Sequence, residues 1–119
     1  MPKPHSFTEI EYAFETFVEG CQRLVDEHFA ARFAVLTPPE IVVHPGRVYW
    51  KVVSQDAPDE VGRGQSSVFG FVRKADGAIF KPATWKAPFT KGETAIRGNV
   101  TDHANGLESV TPYGVVYAR

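Results

Sequence analysis

The sequence predicts an α+β fold, with one long N-terminal amphipathic helix packed on a small antiparallel sheet. Apolar residues recur at helical spacing up to a Thr37-Pro38-Pro39 stop, and beyond it they alternate as strand residues do. Helix first and strands after, with no β-α alternation, argues against a parallel doubly wound sheet. At 119 residues the chain fits a single domain, residues 1–119, able to bury enough surface to fold without staples.

The helix opens on Ser6-Phe7-Thr8-Glu9, an S-x-x-E capping box. In that pattern the Ser6 hydroxyl takes a first-turn amide while Glu9 reaches back to the Ser6 amide. Ile10, Phe14, Phe17, Cys21, Leu24 and His28 follow at alternating spacings of four and three, flanked by Ala13, Val18, Val25 and Phe29. They form one buried stripe, and Glu11, Glu15, Glu19, Gln22, Arg23, Asp26 and Glu27 fall mainly on the other faces. Gly20 costs on the order of 1 kcal/mol relative to Ala and is a point where the helix can kink. The helix should end near Ala31 to Phe33, because the prolines forbid its continuation.

Ile41 to Val43 and Arg47 to Ser54 are rich in β-branched and aromatic residues and are separated by a Pro45-Gly46 turn. In the second of these, Val48, Trp50 and Val52 share one face, and Tyr49, Lys51 and Val53 the other. Gln55 to Gly64, with Asp56, Pro58, Asp59 and Glu60, reads as an exposed loop. Gln65 to Arg73 and Ala78 to Lys81 form a hairpin around Lys74-Ala75-Asp76-Gly77, with Gly77 free to adopt positive φ and Pro82 closing the strand. Ala87 to Glu93 reads as a mobile loop and Ala95 to Val100 as a short strand. The tail carries Val110, Val115, Val116 and Tyr117 around a Pro112-Tyr113-Gly114 turn.

Composition excludes several classes. With 43% hydrophobic and 23% charged residues the chain is neither disordered nor membrane-embedded, and no apolar run approaches the roughly 20 residues that span a bilayer. The N-terminal segment lacks the pattern of a secretory signal, and the single Cys21 has no disulfide partner within the chain, so the expected setting is the cytoplasm. The net charge of −1 conceals a polarised chain. Residues 1–62 carry a balance of −5, while residues 63–97 carry seven basic groups against Asp76 and Glu93, a balance of +5. Such asymmetry favours a surface that attracts phosphates or acidic partners.

Within the basic segment, cations interleave with an indole: Lys81-Pro82-Ala83-Thr84-Trp85-Lys86-Ala87-Pro88, then Lys91 and Arg97. A planar ring beside ammonium and guanidinium groups suits stacking on a base while phosphates are neutralised. Trp85 as a hydrophobic plug over the sheet end, its lysines merely solvated, is the alternative reading. His5, His28, His44 and His103 form no zinc-ligand spacing, and Cys21 and His28, about 10.5 Å apart along the helix axis, read as a core thiol and a partly buried imidazole. No phosphate-binding glycine loop or nucleophile elbow is present, and Asp56, Asp59 and Glu60 read as solvated loop acids.

Four blocks, Gly64-Gln65-Ser66-Ser67-Val68, Asp76 to Pro88, Ile96-Arg97-Gly98-Asn99-Val100 and Thr111-Pro112-Tyr113-Gly114, carry a resemblance. Over Gly64 to Gly114 the chain resembles a group of small uncharacterised bacteriophage and viral-metagenome proteins sharing a KPA-x-WKAP, RGN and PYG pattern, with Phe89 to Thr94 lengthening one spacing. The resemblance implies a phage origin and a common sheet scaffold, leaves the helix outside it, and supplies no catalytic role.

The function expected on these grounds is a phage-encoded, non-enzymatic binding module in the host cytoplasm. Its partner would be a single-stranded nucleic acid, a nucleotide or a host protein, with no membrane and no cofactor. Lys81, Lys86, Lys91 and Arg97 would contact phosphates, Arg73 and Lys74 would extend the track, and Trp85 would be the stacking platform. The alternative is a virion structural or assembly protein or a homo-oligomeric scaffold, built on exposed strand edges. An enzyme acting on phosphorylated substrates ranks last, since no base, nucleophile or metal set stands at workable spacing.

Overall fold

The computed structural model describes residues 6–32, 37–57, 64–92 and 95–115. His5, Phe33, Asp59, Glu60, Arg63, Glu93, Val116 and Tyr117, to which the sequence reading gave roles, lie outside the described residues, as does the side chain of His103. Helix α1, Phe7–Arg32, is followed by β1 (Glu40–Pro45), β2 (Tyr49–Gln55), β3 (Ser66–Arg73), β4 (Ala78–Phe80) and β5 (Ile96–Asn99). A 3-10 segment, His103–Ser109, and a short ribbon of β6 (Val110–Thr111) and β7 (Gly114–Val115) complete the order. The five long-sheet strands lie in sequence order, each antiparallel to the next, and α1 packs on one face: the fold is α+β.

The cap forms as the sequence requires. The Ser6 hydroxyl accepts the Glu9 N–H at 3.2 Å and the Ser6 carbonyl accepts the Ile10 N–H at 3.0 Å. The helix runs unbroken through Gly20 and ends on Arg32, a cation at the negative pole of the helix dipole. Its stripe of Ile10, Ala13, Phe14, Phe17, Cys21 and Val25 is buried against the sheet. Phe14 stacks on Trp50 with ring centroids 4.2 Å apart and planes 7° from parallel, which joins the helix to the centre of β2.

Register fixes which side chains share a face. One cross-strand row, Pro45, Trp50, Val72, Ile79 and Gly98, faces the helix. The next row, His44, Lys51, Phe71, Phe80 and Ile96, crosses the same strands on the opposite, outer face. A β-bulge between Val52 and Val53 then brings Phe69 inward and sets Val53 opposite Val68.

Three features depart from the sequence reading. First, β2 begins at Tyr49 instead of Arg47, because the Gly46 N–H bonds the Tyr49 carbonyl at 2.9 Å and draws Arg47 and Val48 into the turn; Val48 is thereby exposed and does not join the face of Trp50. Second, the helix shares the inner face with the C-terminal segment, since Val100, Val110 and Val115 are buried in the same core and Leu107 packs against it. The 3-10 segment holds Ala104, Asn105 and Gly106 in consecutive left-handed conformations (φ 62°, 54° and 78°), which no helical or strand periodicity signals. Third, the start of the expected Ala87 to Glu93 loop, Ala87 to Phe89, is bonded into a fold of residues 81–89. Pro82 and Pro88 bridge, the Ala83 and Thr84 N–H groups bond the Ala87 carbonyl, and the Phe89 N–H bonds the Lys81 carbonyl at 2.9 Å, giving a folded arm.

The strand edges are partly occupied. On β1 the Ile41 N–H is donated to Gln22 Oε1 at 2.7 Å, Gln22 Nε2 in turn donates to the Pro39 carbonyl, and Pro45 has no N–H to offer. On β5 the Ser109 hydroxyl donates to the Arg97 carbonyl at 2.6 Å.

Gly20 supports a test of the shared inner face. A β-carbon there would lie 2.5 Å from Leu107 Cδ1 and 3.2 Å from its Cγ, so the whole Leu107 side chain must move. Gly20→Ala should therefore destabilise the chain by about 1 kcal/mol despite Ala's higher helix propensity, overpacking outweighing the helix gain. Urea unfolding reads the sign, and a stabilised variant would contradict the packing.

Candidate functional site

The outer face has no helix, yet it carries large aromatic side chains. Phe71, Ala78, Phe80 and Ala95 form a second buried cluster with Tyr49 and Val68 packed on it, and the Tyr49 ring meets Phe71 and Phe80 edge-on at 6.0 and 5.8 Å. The arm between β4 and β5 belongs to this side of the sheet. Thr84 Oγ1 accepts the N–H groups of Lys86 and Ala87 and so pins the arm's tip, where Trp85 and Lys86 stand. Trp85 reaches back to the β1–β2 hairpin: Lys51 Nζ lies 3.6 Å from its ring centroid, and the His44 ring is edge-on at 6.4 Å.

Beside this contact opens a cavity of about 330 Å³, with His44, Arg47, Tyr49, Lys51, Phe71 and Lys86 among its walls and, among the described residues, no Asp or Glu. Burial in the strand, and secondarily the nearby Lys86 charge, lower the pKa of Lys51. An ammonium held in mid-strand against aromatic rings, with like charge beside it, is relieved by an incoming anion. On another side Trp85 joins Val68, Pro82, Ala83 and Thr84 around a second cavity of about 270 Å³, lined by no charged side chain among the described residues. Trp85 is 45% exposed, whereas Trp50 is 6% exposed, so one indole is accessible and the other is core.

The basic residues singled out from the sequence divide among several places. Lys86 lines the cationic cavity and its neighbour Trp85 the second one. Arg73 is on the outer face, its guanidinium 5.2 Å over the Phe80 ring and bonded through two nitrogens to Asp76 at 3.0 and 2.6 Å, which occupies it. Lys74 lies 5.7 Å over the ring of Trp50, whose side chain belongs to the inner face. Lys81 lies 4.6 Å over Phe89 and lines a third cavity, of about 180 Å³, with Tyr113. Lys91 is exposed beyond the arm. Arg97 is half-buried in β5, its Nε and Nη1 without hydrogen-bond partners. Lys51, Arg47 and His44 were missed as site residues because they lie in the acidic half of the chain. The available signal was Lys51 itself, a lysine set between Tyr49 and Val53 on a strand face that the aromatic pattern marks as covered.

The remaining candidates are structural. Cys21 is wholly buried, and burial pushes its thiol up to about 12, which leaves it inert. His28 Nε2 is 2.8 Å from the Tyr113 hydroxyl and ties the helix to the β6–β7 turn. Among the described residues there is no metal-holding cluster of His, Cys, Asp and Glu, and no helix is long and apolar enough to cross a membrane.

Fold and site together define a helix-backed antiparallel meander with a cationic, aromatic outer groove. The chain belongs to DUF7717, a family of unknown function whose model matches residues 11–112, a span that includes the helix beyond its first turn, the five strands of the long sheet and the arm. No curated protein and no solved structure matches it.

The Arg73–Asp76 pair tests what occupies the hairpin turn. Asp76 also accepts the Ala78 N–H at 3.1 Å, and its bond to Arg73 holds its carboxyl below the usual carboxylate value. A depressed carboxylate contributes stability above the unfolded pKa of about 3.9 and loses it as pH falls through the folded value. Asp76→Ala should cost about 1–2 kcal/mol at neutral pH, the exposed ion pair contributing the smaller part. In thermal unfolding the gap from wild type should narrow as pH drops below about 4, and a gap independent of pH would remove the ion pair from the account.

Proposed function

We propose that the chain is a non-enzymatic module that binds single-stranded nucleic acid through the outer groove, with Arg47, Lys51 and Lys86 on phosphates and Trp85 against a base. The single observation that carries this reading is the half-exposed indole capped by Lys51 at 3.6 Å, beside a cavity whose described walls include Arg47, Lys51 and Lys86. Phosphate neutralisation supplies affinity that does not depend on sequence, and base–aromatic stacking adds about 1–3 kcal/mol per base. Lys81 extends the cationic side along the arm, and Arg73 and Lys74 are left out because Asp76 and Trp50 engage them. The resemblance over Gly64 to Gly114 supports a phage origin, and with it action in the cytoplasm of an infected cell.

Titration of fluorescent single-stranded oligonucleotides at several salt concentrations tests the reading. Three phosphate contacts to a single strand should give a slope of log K against log salt of about −2. Lys51→Met and Lys86→Met should each make that slope shallower by about 0.7, while Trp85→Ala should weaken binding about tenfold or more with the slope unchanged. Binding that is absent at low salt, or indifferent to salt, removes the nucleic-acid reading.

A further inference from the structure

The groove's two cavities differ in chemistry, and that difference limits what can fill them. The one beside Lys51 is cationic, and the described walls of the one beyond Trp85 are Val68, Pro82, Ala83, Thr84 and the indole. Their volumes, about 330 and 270 Å³, are each at the lower end for small-molecule sites, so neither holds more than a compact group. Lys51 lines the first and touches the ring that walls the second.

We propose, on the basis of the nucleic-acid reading above, that the site takes one nucleotide unit, its phosphate among Arg47, Lys51 and Lys86 and its base in the uncharged cavity against Trp85. Lys51 then has two alternative partners. Without ligand its ammonium rests on the indole, 3.6 Å from the ring centroid, a weak contact at an exposed site. A phosphate offers a charge-assisted bond that exceeds this and draws the ammonium off the ring. Phosphate and base are therefore coupled through Lys51, which lines the cationic cavity and touches the ring that walls the other. The same nucleotide chemistry reaches the groove as a free nucleoside monophosphate or as one residue of a strand.

Calorimetric titration of the full chain with inorganic phosphate, a nucleoside, the matching nucleoside 5′-monophosphate and a short oligonucleotide separates these sources. The monophosphate should bind about tenfold or more tightly than the nucleoside or inorganic phosphate alone. Lys51→Met, which keeps the aliphatic stem and leaves Arg47 and Lys86 in place, should lower monophosphate affinity several-fold and leave nucleoside affinity unchanged. Trp85→Leu should lower it to that of inorganic phosphate, and Trp85→Phe, which keeps a stacking ring, should retain most of it. If oligonucleotides bind with salt dependence but the monophosphate binds no better than phosphate, the one-unit site is wrong and the groove is a backbone track. If neither oligonucleotide nor monophosphate binds, both readings fall together.

Discussion

A five-stranded sheet with large aromatic rings on both faces must be covered twice, and this chain has one long helix. The helix, helped by the C-terminal segment, takes the inner face. Among the described residues, the outer face, with Phe71 and Phe80 side by side in register and Tyr49 against both, has only the chain that joins β4 to β5. Leaving those rings in water would forfeit on the order of 1.5–3 kcal/mol each. The connection accordingly folds into an arm over the sheet and does not cross directly to β5. That arm carries Trp85 back toward the β1–β2 hairpin, onto Lys51 and His44 of the outer row.

Charge on this face follows the same economy. Arg73, Lys51 and Lys81 each set a cation over an aromatic ring, at 5.2, 3.6 and 4.6 Å from Phe80, Trp85 and Phe89. Long basic side chains cover apolar surface with their stems while their heads stay near water, so they serve where no second helix is available. They are not equivalent, however. Arg73 has a carboxylate partner in Asp76, whereas Lys51 faces Lys86, and its pKa falls where that of Arg73 rises. A cation with a fixed counter-ion is structural, and a cation beside another cation is poised to meet an anion from solution.

Helix α1 was legible because cap, stripe and stop all agreed: Ser6, the run from Ile10 to Val25 and Pro38-Pro39. The β3–β4 hairpin was legible for the same kind of reason, with Gly77 at φ 79° where the turn demands it. The left-handed run at Ala104, Asn105 and Gly106 was not, since Ala carries no signal for positive φ. The candidate site was legible by half. Trp85 and Lys86 stand out as a local cluster, but Lys51 and Arg47 reach them only through tertiary structure, and summing charge by segment assigned them to the acidic half of the chain. Linear charge counting cannot see a row such as His44, Lys51, Phe71, Phe80, which exists only after three strand pairings are made.

The core and the groove are linked through the two-residue period of β2. Trp50 turns inward to stack on Phe14, and its neighbour Lys51 is thereby turned outward to meet Trp85. A slip of one residue in the β1–β2 or β2–β3 register would exchange them, burying an ammonium against the helix and exposing an indole. The energy that forbids the slip comes from the inner face, where Phe14, Phe17 and Val72 leave no room for a charge. The position of Lys51 in the outer groove is therefore set by residues that never touch it. A change at the Phe14–Trp50 stack would act on the groove through strand register, while one at Trp85 or Lys86 would act on the groove alone.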